Sequence, residues 1–290
     1  MQIFLEYSAL GIAAGGVYAL IALGFVVIFK ASQTFNFAMG EMMMVSAYVY
    51  FMCVVLMGWN WMVGLAVTIA VSVLIALVME RLILRPMLGR PIISLVMVTF
   101  GAGIMMRGIA SIIWGSDTDQ MPSFLSRDPV MLGELFIPGK TARAFAVAVA
   151  VVVGLVLYFR YSRAGVALRA TAADQTTSFA MGINVHRIFA MTWVIAAISG
   201  AISGILMASI NSLSPSLGLV ALNVLAVVIL GGMDSIGGVL VAGLIVGWLE
   251  AVTGYLLGSE WRDITPYIAA LLVLLTRPHG LFGTKPIERI

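Results

Sequence analysis

Two short stretches place groups capable of polar chemistry inside apolar surroundings. FNFAMGEMMMVSAYV, residues 35–49, holds Asn36 and Glu41; GGMDSIGG, residues 231–238, holds Asp234 and Ser235. A carboxylate in hydrocarbon costs a few kcal/mol or more, so one kept there is a candidate for contact with a solute or an ion. Both stretches also have a local explanation. Thr34 or Asn36 would cap a helix with Glu41 one turn inside it, balanced by Lys30 near the interface. Asp234 would cap a helix starting near Ile236. At the level of residues both accounts stay open. Arg107, in GAGIMMRGIASIIWG, is a third charge within an apolar run and either snorkels outward or pairs inside the bundle.

No hydrolytic or redox chemistry accompanies these groups. The histidines, His186 and His279, are far apart in sequence, and no phosphate-binding loop, GxSxG or metal spacing occurs. We therefore assign no catalytic residue, no metal and no cofactor to this chain. The single cysteine, Cys53, excludes an internal disulfide.

The elements that must position the polar residues follow from composition. Of 290 residues, 62% are hydrophobic and 10% charged, against about half and about a quarter in soluble domains. Apolar runs of about 20 residues recur, each able to cross about 30 Å of hydrocarbon. The expected fold is all-α, a polytopic membrane bundle forming one domain over 1–290. About nine spans lie near 7–29, 37–57, 62–84, 92–114, 142–160, 188–210, 219–231, 236–258 and 264–276. The seventh and ninth are short, tilted or re-entrant. The N-terminus lacks the basic start of a secretory leader, so the first run is read as a retained span.

Basic residues set the expected orientation. With the N-terminus outside, Lys30, Arg81, Arg85, Arg90, Arg160, Arg163, Arg169, Arg187, Arg277, Lys285 and Arg289 fall at cytoplasmic ends. Only Arg127, Lys140, Arg143 and Arg262 fall outside, which favours an external N-terminus and a cytoplasmic C-terminus. The basic balance is thus a topology signal and implies no nucleic-acid partner.

Two loops exceed a tight turn. The extracytoplasmic one, 115–141, is rich in turn residues and suits a small hairpin. The cytoplasmic one, 161–187, suits a helix from about Ala164 to Ala180 ended by Gly182 and Asn184. That helix would gather Leu168, Ala172 and Phe179 on one side and offer Arg169 and Asp174 to water or a partner, with Ala170, Ala172 and Ala173 permitting close approach. A helix lying on anionic lipid headgroups is the alternative.

Gly243 and Gly247 form a GxxxG that suits close helix packing. Gly40, Gly231, Gly232, Gly237 and Gly238 are read the same way. The interruptions after the first and seventh spans make an inverted internal repeat a candidate.

FNFAMGEMMMVSAYV resembles the NFAHGE signature of the permease subunits of branched-chain amino-acid ABC transporters. SRAGVALRATAADQTTSFAMGINVHRI resembles that family's cytoplasmic loop, AVVILGGMDSIGGVLVAGLIVGWLE its glycine-rich segment, and TRPHGLFG its C-terminal end. The resemblance covers nearly the whole chain and fits the shorter of the family's two permease types. Met39 departs from it, standing where histidine is common, and Asp234 stands where a smaller or less charged residue is frequent. The resemblance implies an importer subunit in a bacterial inner membrane. Its partners would be a second homologous permease, two ATPases that bind the ATP and Mg, a periplasmic solute-binding protein and membrane lipid. The loop 161–187 becomes a coupling element, and Asn36, Glu41, Asp234 and Ser235 become pathway candidates. Branched-chain or related amino acids head the substrates; urea, amides and aromatic or dicarboxylic acids are the family's other cargoes. An ion-coupled secondary transporter, with Glu41 and Asp234 as ion sites, is the competing class.

Overall fold

The computed structural model describes residues 2–87, 89–121, 128–132 and 135–283. Arg127, Lys285 and Arg289, used above for orientation, lie outside the described residues. The elements in chain order are α1 (Gln2–Ser32), α2 (Met39–Phe51, continued by a π-helical turn Met52–Leu56), and α3 (Trp61–Met79). A second π-helical turn, Glu80–Leu84, then leads into α4 (Arg85–Met87). There follow α5 (Ile92–Trp114), β1 (Val130–Leu132), β2 (Leu135–Ile137), α6 (Gly139–Tyr161), α7 (Arg163–Ala173), α8 (Gln175–Ala180) and α9 (Val185–Ile210). A 3-10 turn, Pro215–Leu219, precedes α10 (Val220–Gly231), α11 (Gly238–Leu257) and α12 (Ser259–Thr276).

Seven of these helical stretches are long and apolar enough to cross a membrane. They match the expected spans one to six and eight. The seventh differs. Its helix is only the twelve residues of α10, about 18 Å at 1.5 Å per residue, too short to cross alone. The crossing is completed by 211–219. Leu213 bridges to Asp119 at the end of the bundle that carries the β1–β2 hairpin. Gly231 meets the C-terminal segment at the opposite end, where Phe282 N–H donates to its carbonyl (3.2 Å). The ninth, α12, is 18 residues long and starts with charged Glu260, Arg262 and Asp263.

The two ends are distinct. At one, β1 and β2 pair antiparallel with Met131 opposite Phe136, the small hairpin expected in the 115–141 loop, and β2 packs on α1. At the other, α7 and α8 fill the 161–187 loop. There Lys30 Nζ donates to the Asp234 carbonyl (2.6 Å) and Gln175 reaches the Ala31 carbonyl (3.5 Å). We call these the hairpin end and the loop end. The described N-terminal and C-terminal segments lie at opposite ends, as an odd number of crossings requires.

Helices α1, α2 and α9 form the interior. In their apolar windows 83%, 78% and 78% of residues are buried, against 17% in α5 and 22% in α6. What closes the interior is small residues. Gly11 and Gly15 of α1 sit against Gly243 and Gly247 of α11, backbone to backbone. The GxxxG read in α11 thus has a matching GxxxG in α1. Without a hydrophobic driving force between helices in lipid, such contact is what holds them. Between α2 and α3, Ser46 Oγ and Ser72 Oγ share a hydrogen bond (2.7 Å) while each also reaches a carbonyl four residues back.

Candidate functional site

The site is built by two places where helix gives way to irregular backbone. Helix α1 ends at Gln33, whose φ of +56° is the one left-handed non-glycine among the described residues. Residues 33–38 then run from the loop end into the bundle. Phe37 N–H donates to Thr99 Oγ1 (3.3 Å) and Ala38 N–H to Asn36 Oδ1 (3.1 Å), so α2 starts at Met39, already inside. From the hairpin end, 211–219 descends in the same way, and α10 begins beyond it. The two breaks meet. A side chain at Gly40 would collide with the Gly218 carbonyl and stand 2.7 Å from Ala221 Cβ.

Glu41 lies at this meeting point, buried in the first turn of α2, where the helix dipole favours a negative charge. A Cβ on Gly103 would be 3.3 Å from Glu41 Oε2, and one on Gly218 would be 3.2 Å from Oε1. These glycines leave the room the carboxylate fills. Gly103 is half-way along α5, about 16 Å from its start. Glu41 is therefore at mid-depth, not at an interface. Its partner is Arg107 of α5, whose Nη2 donates to Oε1 in an ion pair. The local alternative, pairing with Lys30, does not hold, because Lys30 reaches the Asp234 carbonyl instead. Arg107 pairs inward rather than snorkelling. Its Nε is buried with no hydrogen-bond partner, and its side chain keeps 32% exposure toward the open face of α5.

Irregular backbone at membrane depth persists where protein buries it or a polar cavity reaches it, and broken helices beside a transport path are its usual setting. An Arg–Glu pair here presents a cation and an anion side by side, with one spare donor, on the border between the buried helices and α5.

The other candidates fall elsewhere. Asn36 is buried and spent on its own turn: Oδ1 accepts from Ala38, and Nδ2 lies 3.6 Å from Met42 Sδ. These contacts tie it to the start of α2. Asp234 and Ser235 sit at the loop end, one α10 length from Glu41. Ser235 Oγ, rather than the Asp234 carboxylate, accepts from Gly238 N–H (3.0 Å) at the start of α11. Around them Gly231, Gly232 and Gly238 allow close approach. Gly232 has φ +101°, and a Cβ there would be 2.5 Å from Gly283 N, so the C-terminal GLFG folds onto the end of α10. Gly237 has nothing within 4 Å and is not a packing glycine. Met39, where the family resemblance expects histidine, is fully buried against Gly24 and Gly200.

The 161–187 loop also differs from expectation. One helix over 164–180 is broken at Asp174, whose side chain accepts from Thr177 N–H (2.9 Å) and caps α8. Arg169 turns back, Nη1 donating to the Phe159 carbonyl (2.7 Å) near the end of α6. Leu168 is buried, whereas Val166, Phe179 (69%) and Met181 (80%) are exposed. Gly182, at φ +84°, does follow the last turn as read. The outward surface of this loop thus mixes apolar Val166, Phe179 and Met181 with exposed Arg163, Arg169 and Arg187, while Arg169 and Asp174 also make the contacts within the loop just described.

Sequence reasoning passed over three buried polar groups. Glu80, with no exposed surface, pairs with Arg85 (2.8 Å). Glu250 accepts from Tyr18 OH (2.8 Å) between α11 and α1. Thr99 holds the entry to α2. Glu250 was findable by the rule applied to Glu41, a carboxylate within an apolar run.

A family model described as branched-chain amino acid transport system / permease component matches residues 8–275. The high-affinity branched-chain amino acid transport system permease protein LivH of Escherichia coli K12 is 30% identical over 301 residues, covering 99% of this chain and 98% of that protein. The corresponding protein BraD of Pseudomonas aeruginosa is 29% identical over 305 residues, with 99% and 98% covered. PsaBC from Streptococcus pneumoniae, solved in complex with Fab, superposes with a TM-score of 0.49 at 14% identity over 93% of this chain and 91% of that one. A family match over nearly the whole length, on a bundle of apolar helices, places this chain in the family of permease components of branched-chain amino acid transport systems.

Proposed function

We propose that this permease subunit carries a zwitterionic amino acid, branched-chain or closely related, through an ABC importer and that the Glu41–Arg107 pair is the polar station on the path. The carrying observation is that pair, at mid-depth where two broken helices meet. An α-amino acid brings one carboxylate and one ammonium. Arg107 can donate to the former through its spare Nε–H, and Glu41 can accept from the latter, so the pair opens onto the solute and closes behind it without leaving a bare charge in hydrocarbon. Differential contact of this kind lets a solute bias one conformation over another. The partially exposed side of Arg107 faces the open surface of α5, where a second homologous permease would complete the path.

The energy comes from two ATPases that bind ATP and Mg on the loop end, taken as cytoplasmic, and a periplasmic binding protein delivers solute to the hairpin end. The N-terminus is then outside. The orientation rests on the basic asymmetry and on the termini lying at opposite ends. Reconstituted alone with a proton or sodium gradient, the permease should accumulate no leucine. With its ATPases, binding protein and ATP it should accumulate leucine against a gradient. Uphill uptake by the permease alone would overturn the ABC reading in favour of an ion-coupled carrier.

The exposed apolar surface of α7 and α8 gives a sharper version of the coupling test. Phe179→Glu with Met181→Glu should leave the permease inserted yet reduce ATPase co-purification by about tenfold or more, the equivalent of roughly 1.4 kcal/mol. Arg169→Glu should act differently, loosening the loop by releasing the Phe159 carbonyl and lowering thermal stability. Undiminished co-purification of the Phe179/Met181 variant would remove this surface from the docking site.

A further inference from the structure

The hairpin end holds a second polar site, between α1, α11 and the first turn of α12. A cavity of about 250 Å³ opens there. Its two long walls are lines of small residues one turn apart, Gly11 and Ala14 on α1 and Gly247, Ala251 and Gly254 on α11. Such lines normally close by helix contact, as Gly11 and Gly247 do at the bottom of this groove. The contact extends to Ala251, whose Cβ would stand 2.5 Å from a Cβ on Gly11, and the cavity opens beside it toward α12. Glu250 lines it and is only 3% exposed; Oε2 accepts from Tyr18 OH, while Oε1 is buried with no hydrogen-bond partner. A buried carboxylate oxygen without a donor is costly and marks a missing partner. The terminal torsion of glutamate is broad and twofold, so either oxygen can turn to the cavity. Arg262 of α12 lines the other wall, near enough for its charge to act on Glu250.

We infer that this cavity binds the headgroup of a zwitterionic phospholipid bearing a primary ammonium, an ethanolamine phospholipid, with the ammonium on Glu250 and the phosphate on Arg262. The surroundings are those of a lipid contact. Tyr7 and Tyr255 rings lie 5.0 Å apart beside the cavity, and Trp261 is exposed next to Arg262. Aromatic residues gather at this level of a bilayer. Leu256 and Leu257 are exposed at the end of α11, an apolar surface for acyl chains. The lining runs from Ser259 at the start of α12 down to Glu250, about two turns into α11, and Gly247, about three, so the cavity opens at the hairpin end and not beside Glu41. A primary ammonium supplies the donors that Glu250 Oε1 lacks; a choline headgroup has none. A free amino acid shares the same charges, so the test separates the two sources.

The full-length chain is placed in nanodiscs of phosphatidylcholine and phosphatidylglycerol with increasing phosphatidylethanolamine, then released for native mass spectrometry. One phosphatidylethanolamine should be retained at least several-fold over phosphatidylcholine. Glu250→Gln should abolish that preference, and Arg262→Gln, a change on an exposed side chain, should weaken retention of both zwitterionic lipids. Equal retention of the two headgroups by the wild type, an unchanged preference in Glu250→Gln, or undiminished retention in Arg262→Gln overturns the proposal. Displacement of the retained lipid by millimolar leucine overturns it too, by giving the cavity to the solute. None of these readouts depends on transport, so failure here leaves the Glu41–Arg107 reading standing and the reverse.

Discussion

Glu41→Gln and Arg107→Gln are each expected to lower uptake about a hundredfold, and the double variant is expected to recover assembly without recovering uptake. The physical basis is the asymmetry of a buried ion pair. Removing one partner leaves the other charge in a low-dielectric site, at a cost of about 3–5 kcal/mol. Removing both leaves two neutral amides that can hydrogen-bond each other. Stability should therefore show a large coupling between the sites, whereas neighbours that merely touch give less. Glu41 is buried among Gly103, Gly218 and the start of α2, so little of its surface can be solvated in place of the pair. If the pair served only to hold α2 to α5, the double variant would also transport. Melting of the extracted protein and leucine uptake, measured on all four members of the cycle, separate the two roles. Near-normal uptake by the double variant would reduce the pair to a structural clamp, and silent single variants would deny it even that.

The same residues show what the sequence could and could not reveal. Glu41 was legible as a carboxylate within an apolar run. Its partner was not, because Arg107 lies 66 positions away and only packing brings them together. Lys30 was the nearer cation in sequence, and it belongs to the loop end, at the Asp234 carbonyl. GGMDSIGG and SQTFNFAMGE read alike as glycine-punctuated breaks, since the residues that cap a helix at a surface turn also start a helix inside a membrane. Depth separates them, and depth is not written locally. The break that does face Glu41 is 211–219, which carried no charge to draw attention. Likewise the break at Asp174 is not legible from alanine content, which favours a continuous helix; it depends on the Asp174 side chain capping α8. The long spans, the small hairpin within 115–141 and the end of the 161–187 loop's last turn at Gly182 were legible because they depend on length, composition and single turn residues.

A loss of stability is also expected from adding one methyl group at Gly15. Its Cβ would stand 2.9 Å from Leu244 Cα and closer still to the Gly243 carbonyl. The reciprocal position is as tight: a Cβ on Gly243 would be 2.6 Å from the Gly15 carbonyl and 2.8 Å from Ala19 Cβ. These neighbours are backbone or the stubs of side chains, so no flexible group can step aside, and two long helices must separate. Overpacking of this kind costs about 1–3 kcal/mol and occasionally more, and here it also undoes the contact that replaces hydrophobic driving force in lipid. Gly15→Ala should lower the melting temperature of the extracted permease markedly, and Gly15→Leu should prevent its recovery from the membrane. Because either methyl opens the same seam, Gly15→Ala with Gly243→Ala should lose much less than the two single losses added. Gly154→Ala in α6 is the control. Nothing lies within 4 Å of its added Cβ, and alanine is the better helix former by about 1 kcal/mol, so it should be neutral or stabilising. A Gly15→Ala variant as stable as Gly154→Ala would mean that the α1–α11 seam has slack, and the pairing of the two GxxxG motifs would not be what closes the bundle.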